Sequence, residues 1–155
     1  MDFDKFSLNV KHTKVGRFAD DLANGRITAT KCRKCGVEYY PPRADCHKCM
    51  SSDMEWVELK DTKGKLVTYT EIQVPPEHFG RGNTPFSKSE KFQPCAFGII
   101  ELENGLKITG WIPTVDVKKI KVGMELKAIP KKTTFKVAPR NAFVEGEVTI
   151  ALELA

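Results

Sequence analysis

Two Cys-x-x-Cys pairs stand ten residues apart in the stretch KCRKCGVEYYPPRADCHKCM, at Cys32, Cys35, Cys46 and Cys49. A gap of two lets both sulfurs of a pair, with the backbone N–H groups around them, curl about one ion, and two such knuckles complete a tetrahedral set. The spacing is that of a zinc ribbon. Four thiolates also suit a single iron or an iron–sulfur cluster, but one zinc ion is the expected occupant. With every position filled by protein, none is left for a substrate or an activated water. The metal is therefore expected to be structural, holding the strand before it against the strand after it. Gly36 relieves the turn after the first pair, whereas Met50 and Ser51 follow the second. His47, inside CHKC, is expected to face solvent or to stand behind the ligands. Thiol exchange, the other use of a Cys-x-x-Cys pair, does not suit two pairs at ribbon spacing.

Little else in the chain looks catalytic. His12, His47 and His78 are the three histidines, and none has a serine or cysteine in a recognisable nucleophile setting. Cys95, the fifth cysteine, opens an apolar stretch after Pro94 and reads as a small buried hydrophobe. The carboxylates Asp20, Asp21, Glu101 and Glu103 fall on a predicted helix and beside a predicted hairpin turn, where a solvated face is the default. GRGN at Gly80–Asn83 lacks the third glycine of a phosphate loop, and Pro85 blocks the helix that would hold the phosphate. Arg81 remains able to meet an anion from its loop. Lys118, Lys119, Lys121, Lys127, Lys131, Lys132 and Lys136, with Arg140, cluster toward the C-terminus, either as a basic patch or as ordinary solubilising charge.

The elements that must position the knuckles are mostly strands. In KVGRFADDLANGR, Phe18, Ala19 and Leu22 share a helical face and Asn24-Gly25 supplies a stop. Its apolar face needs a support, which a partner could provide. Ile27 and Ala29 alternate with Thr28 and Thr30 into the first pair. MEWVEL around Trp56 is extended, and DTKGK at Asp61–Lys65 reads as a turn. LVTYTEIQV is a strand, and CAFGIIELENGLKITGWI holds two strands joined at Asn104-Gly105, the dipeptide of a type I′ hairpin. Val117, Ile120 and Val122 fit one helical turn that Gly123 stops. Strands near MELKAI, TTFKV and VTIALEL follow. This is a mainly β chain, with a small barrel of the OB type over its C-terminal part. The connection from Val74 to Cys95 holds four prolines and is long enough to be functional.

The chain has 155 residues, a net charge of +5 and 41% hydrophobic residues, which fits a globular protein with one or two small modules. The positive charge suits polyanions: nucleic acid, anionic lipid or a phosphorylated cofactor such as coenzyme A. The start MDFDKFSLNV has no secretory pattern and no apolar run is long enough to span a bilayer, so a cytoplasmic location is expected. In that reducing compartment paired cysteines read as metal ligands.

GRITATKCRKCGVEYYPPRADCHKC, GKLVTYTEI, CAFGIIELENGLKITGWI and IKVGMEL, in that order, resemble the DUF35 family over about residues 15 to 155. The resemblance implies a helical arm at 1–25, a rubredoxin-like zinc ribbon at 26–60 and an OB-fold at 61–155. It implies zinc ligands at Cys32, Cys35, Cys46 and Cys49, and no catalytic residues. Members of that family are small non-catalytic subunits that bind thiolases, hydroxymethylglutaryl-CoA synthase-like enzymes or acyl-CoA hydratases, and help bind or channel the acyl-CoA. Coenzyme A thioester would then be a ligand shared with the partner. Two departures stand out. Arg33 and His47 occupy positions where the family commonly has proline after a cysteine, and the loop at 75–94 looks extended. That loop makes Phe79, Arg81 and Phe86 the candidates for substrate contact, while Tyr39, Tyr40, Pro41 and Pro42 offer a rigid apolar edge for protein contact or for packing of the ribbon. The alternative reading is a nucleic-acid-binding module. Its stacking residues would be Tyr69, Phe97, Trp111 and Phe135, which lie scattered in sequence.

Overall fold

A computed structural model describes residues 14–73, 95–113, 116–132 and 148–155. The chain divides into two compact units, Met1–Lys60 and Asp61–Ala155.

The first unit opens with α1 (Lys14–Ala23), which ends in a Schellman motif: Gly25 N–H donates to Leu22 O at 2.9 Å and Arg26 N–H to Asp21 O at 2.8 Å. The predicted stop at Asn24-Gly25 is thus observed, and the predicted face is buried only in part. Gly16, Asp21 and Leu22 are buried, Phe18 is half-buried and Ala19 is exposed. The helix rests on its own ribbon. Asp21 accepts from Arg26 Nη2 at 2.6 Å and Thr28 Oγ1 at 3.1 Å, and the Arg17 guanidinium lies 4.6 Å from the Trp56 ring centre.

β1 (Thr28–Cys32) is the middle strand of three, antiparallel to β2 (Glu38–Tyr39) and β3 (Met54–Glu58). Alternation in the sequence predicts one wet face here. Instead Thr28, Ala29 and Thr30 are all buried. The threonine face is covered because Thr28 serves Asp21 and Thr30 Oγ1 exchanges bonds with the backbone of Arg43, accepting from its N–H at 2.8 Å and donating to its carbonyl at 3.2 Å. Hydroxyls satisfied in this way can sit in a core.

The second unit is a closed barrel ordered β4-β5-β6-β8-β7, from β4 (Lys63–Ile72), β5 (Cys95–Leu102), β6 (Lys107–Ile112), β7 (Glu125–Lys132) and β8 (Val148–Leu154). All pairings are antiparallel except β6 with β8, which is parallel at Trp111–Ala151. Leu66, Ile100, Ile108, Ile112, Leu126 and Leu152 fill the interior, each under 2% exposed. The predicted turn at Asp61–Lys65 is mostly the start of β4. Its glycine serves a close approach rather than a turn, since a Cβ on Gly64 would lie 2.5 Å from Glu101 O. The β5–β6 hairpin is observed at Asn104-Gly105, but not as type I′: Gly105 alone in the turn has positive φ, at 80°. Gly105 N–H donates to Leu102 O and Leu102 N–H to Leu106 O, each at 2.9 Å, the pattern of a type I turn with a glycine bulge. The expected helical turn is a short 3-10 turn at Val117–Lys119, and Ile120 after it is extended and buried. Gly123 does not stop it; its N–H donates instead to Leu66 O at 2.7 Å. The strand expected near TTFKV lies outside the described residues.

Candidate metal centre

Each half of the centre is a knuckle followed by a residue in the left-handed region. Gly36, at φ 74°, donates its N–H to Cys32 O at 2.8 Å; Met50, at φ 57°, donates to Cys46 O at 2.9 Å. The two loops are the same device, built once with glycine and once with a side chain that bears the left-handed strain. That Met50 side chain is 83% exposed.

The four cysteine sulfurs lie within 4.8 Å of one another, with Cys32–Cys49 at 3.5 Å and Cys35–Cys46 at 3.4 Å. A tetrahedral zinc with sulfurs at about 2.3 Å requires sulfur–sulfur edges of about 3.8 Å, so the set fits such an ion. The arrangement is that of a zinc-binding site in a zinc ribbon, and the fourth corner is closed by protein. Cys32 and Cys46 are buried, whereas Cys35 and Cys49 are half-buried at the rim. Tyr39 joins Cys32 and Cys46 in the small core here, and Val37 and Met54 pack against it.

The surroundings offset the negative charge that four thiolates bring. Backbone N–H groups of Val37 and Ser51 reach Cys35 and Cys49, and those of Lys48 and Cys49 reach Cys46. The Tyr39 hydroxyl lies 3.1 Å from Cys46 Sγ. It is the foremost cause that holds the Cys46 thiol below its usual range, at about 6, and the same bond raises the Tyr39 phenol. Both directions are those of an O–H donating to a thiolate. The ring of His47, itself exposed, meets Tyr39 edge-on at 5.1 Å, and the Arg43 guanidinium lies 5.6 Å from the Tyr39 ring centre.

Tyr39 is therefore not part of an apolar edge. It is 6% exposed, while Tyr40 packs edge-on against Phe18 at 5.9 Å. The sequence did carry a signal for this: Val37 and Tyr39 stand two apart and fall on one face of an extended segment. Arg33, inside the first knuckle, pairs with Glu55 at 3.3 Å and Asp53 at 3.6 Å.

Cys95 belongs to the barrel unit and is 2% exposed. Burial pushes its thiol up to about 11, which suits the hydrophobe read from sequence. Phe79, Arg81 and Phe86, with the loop that carries them, lie outside the described residues, as do Phe135, Lys136 and Arg140. The described lysines of β7 do not form an unbroken basic strip. Lys127 faces Glu153 as well as Lys63 across the strands, and Lys131 pairs with Glu153.

Phe97 and Trp111, scattered in sequence, are brought together across β5 and β6 at 5.2 Å, edge to face. They point outward. Their neighbours Gly98 and Gly110 are paired in register, and a Cβ on either would run into the interior side chains of Leu66, Ile112, Ile150 and Leu152. Tyr69 does not join them; its hydroxyl donates to Ile120 O at 3.3 Å.

A three-stranded knuckle sheet with four sulfurs, followed by a five-stranded barrel closed by one parallel pairing, defines a protein of the zinc-ribbon plus OB-fold class. The sequence matches the profile described as ChsH2, rubredoxin-like zinc ribbon domain, over residues 19–55, and that described as ChsH2, C-terminal OB-fold domain, over residues 56–129. A DUF35 domain-containing scaffold protein of Methanocaldococcus jannaschii is 34% identical over 66% of this chain and 66% of its own length. One of the same description from Methanothermobacter thermautotrophicus is 30% identical over 68% of this chain and 72% of its own. The chain belongs to the DUF35 family. Among solved structures, an Ltp2-ChsH2(DUF35) aldolase chain matches with TM-score 0.64 at 18% identity, covering 89% of this chain and 91% of that one. A DUF35-family protein of unknown function from Sulfolobus solfataricus matches with TM-score 0.56 at 17% identity, covering 94% and 89%. At these identities the structures share the fold. No described helix is long and apolar enough to cross a membrane.

Proposed function

We propose that this chain is a non-catalytic accessory subunit that holds one structural zinc through Cys32, Cys35, Cys46 and Cys49. It docks, as a hetero-oligomer, on an enzyme that makes or breaks a carbon–carbon bond beside an acyl-CoA thioester. The partner class is thiolase-like or hydroxymethylglutaryl-CoA synthase-like, with an aldolase as a further member of the same set and an acyl-CoA hydratase, which adds water to a double bond instead, as a separate candidate. An arm at 1–25, a ribbon at 26–60 and an OB-fold at 61–155 would divide the work, the ribbon fixing shape and the barrel helping to bind or channel the acyl-CoA. Phe79, Arg81 and Phe86 are the residues proposed to touch that substrate.

One observation carries this reading: both modules match, in order, a family whose archaeal relatives are described as scaffold proteins. The closed sulfur site agrees with it, because a metal with four protein ligands has no corner to offer a substrate. The test is to purify the tagged chain from its own host in moderate salt after nuclease treatment. A stoichiometric condensing or cleaving enzyme should co-purify and lose activity or stability when this chain is removed. A partner fully active and stable alone would end the proposal.

A second reading, a nucleic-acid-binding module, is favoured by the Phe97–Trp111 pair on the second and third barrel strands, the face OB-folds use for oligonucleotides. It expects oligonucleotide binding that falls steeply between low and moderate salt. Absence of binding at low salt removes it.

A further inference from the structure

Four thiolates around a divalent zinc leave a net charge of about −2 in a small buried space, so the groups that donate to the sulfurs decide how firmly the ion is held. Three of the four sulfurs are served, besides one another, by backbone donors or packing alone among the contacts described above. Cys46 differs. It is 1% exposed and has, 3.1 Å away, a phenol hydroxyl that is itself on a 6%-exposed side chain. A metal-bound thiolate carries no proton, so the direction of that bond is fixed and Tyr39 donates. The ring is held for this task by the edge of His47 and by the Arg43 guanidinium, and Arg43 is fixed in turn through its backbone to Thr30, which is fully buried in β1.

We propose that Tyr39 is a positioning residue of the metal centre, its hydroxyl locking the Cys46 corner so that metal is surrendered from the half-buried Cys35 and Cys49 rim. This rests on the zinc-site reading above. The asymmetry is built from two independent features: the O–H bond at the buried corner, and the full burial of Cys32 and Cys46 against the partial burial of Cys35 and Cys49. Thiol reagents and chelators reach a ligand only where water does. The rim is therefore the entry point, and the Tyr39 bond keeps the knuckle assembled while a rim sulfur is lost and regained.

The experiment uses the full chain loaded with zinc, with metal content measured first. Tyr39→Phe keeps the ring and its contacts with His47 and Arg43 and removes only the O–H. Zinc transfer to a chromophoric chelator should be faster in Tyr39→Phe by about 10- to 100-fold, the usual consequence of losing an outer-shell donor. Cobalt substitution supplies a readout that packing would not move: the sulfur-to-cobalt charge-transfer bands should shift when one sulfur loses its hydrogen bond. Limited alkylation followed by mass spectrometry should mark Cys35 and Cys49 before Cys46 in the wild type, and Cys46 alongside them in Tyr39→Phe. Unchanged release rate and unchanged cobalt bands overturn the inference while leaving the zinc site standing; a wild type that retains no metal overturns both. Should Tyr39→Phe fail to fold, the wild type loaded with cadmium-113 decides. A slowly exchanging hydroxyl proton on Tyr39, coupled to the metal, supports the bond, and a freely exchanging one overturns it.

Discussion

Replacing Asp21 by alanine should loosen α1 from the ribbon, and the size of the effect follows from its partners. The carboxylate is buried on a mainly exposed helix and accepts from Arg26 at 2.6 Å and from Thr28 at 3.1 Å, with Arg17 at 3.8 Å. The Arg26 and Arg17 side chains are 48% and 58% exposed, so solvent screens both pairs and neither adds much. The Thr28 bond weighs more. Thr28 is 5% exposed, and a hydroxyl left there without its charged acceptor costs about 1–3 kcal/mol. Asp21→Ala should therefore destabilise the ribbon unit by about 1–3 kcal/mol, and the same change in a Thr28→Val background by less than about 1 kcal/mol, because no hydroxyl is then orphaned. Tryptophan placement makes the assay clean: Trp56 lies in the first unit and Trp111 in the second. In a Trp111→Phe protein, urea unfolding at saturating zinc followed by fluorescence reports the ribbon, whose Trp56 already carries Arg17 on its face. Equal losses in the two backgrounds, or a loss under about 0.5 kcal/mol, would refute the assignment of Asp21 as the helix anchor.

Three further outcomes are expected. Removing the metal with a strong chelator should abolish the Trp56 signal of the folded ribbon and leave the Trp111 signal of the barrel, since structural zinc contributes about 10–16 kcal/mol to a small fold; a ribbon that persists metal-free would contradict this. Met50→Gly should stabilise the ribbon by about 1 kcal/mol, measured as a higher urea midpoint, because glycine occupies φ 57° without a Cβ clash. Cys95 should resist alkylation at pH 8 until the barrel unfolds. Its thiol titrates near 9 when unfolded and is pushed up to about 11 by burial, so the folded state holds the proton longer. Relative to Cys95→Ala, stability should be complete below pH 9 and decline as the pH rises toward 11, which unfolding curves across that range would show.

What the sequence disclosed and what it hid divide by the range over which each feature is encoded. The four ligands fall within eighteen residues, and a two-residue gap states the knuckle geometry by itself. The hairpin at Asn104-Gly105 is likewise local, although the type of turn depended on the backbone of Asn104, which composition does not reveal. Glycine misled at Gly64 because a turn and a close strand approach call for the same residue. Thr28 and Thr30 misled for a different reason: a polar side chain in an alternating strand signals water, unless another segment supplies its hydrogen bonds. Here those segments are Asp21 and the backbone of Arg43, seven residues before one and thirteen after the other.

The Phe97–Trp111 pair shows the limit most plainly. The two residues stand fourteen apart and meet only because the hairpin register places Phe97 against Trp111 and, one step on, Gly98 against Gly110. A one-residue slip would send the aromatics into the interior and the glycines out. The pairing has a structural use as well: paired glycines leave a weak point in a barrel wall, and aromatic side chains beside them cover exposed backbone. A ligand or partner using this outer face would thus rest on residues the barrel already needs. Loss of binding in Trp111→Ala alone would not separate a contact from a weakened wall. Trp111→Phe, which keeps an aromatic over the glycines, with Trp111→Ala checked for an unchanged barrel transition, would separate the two.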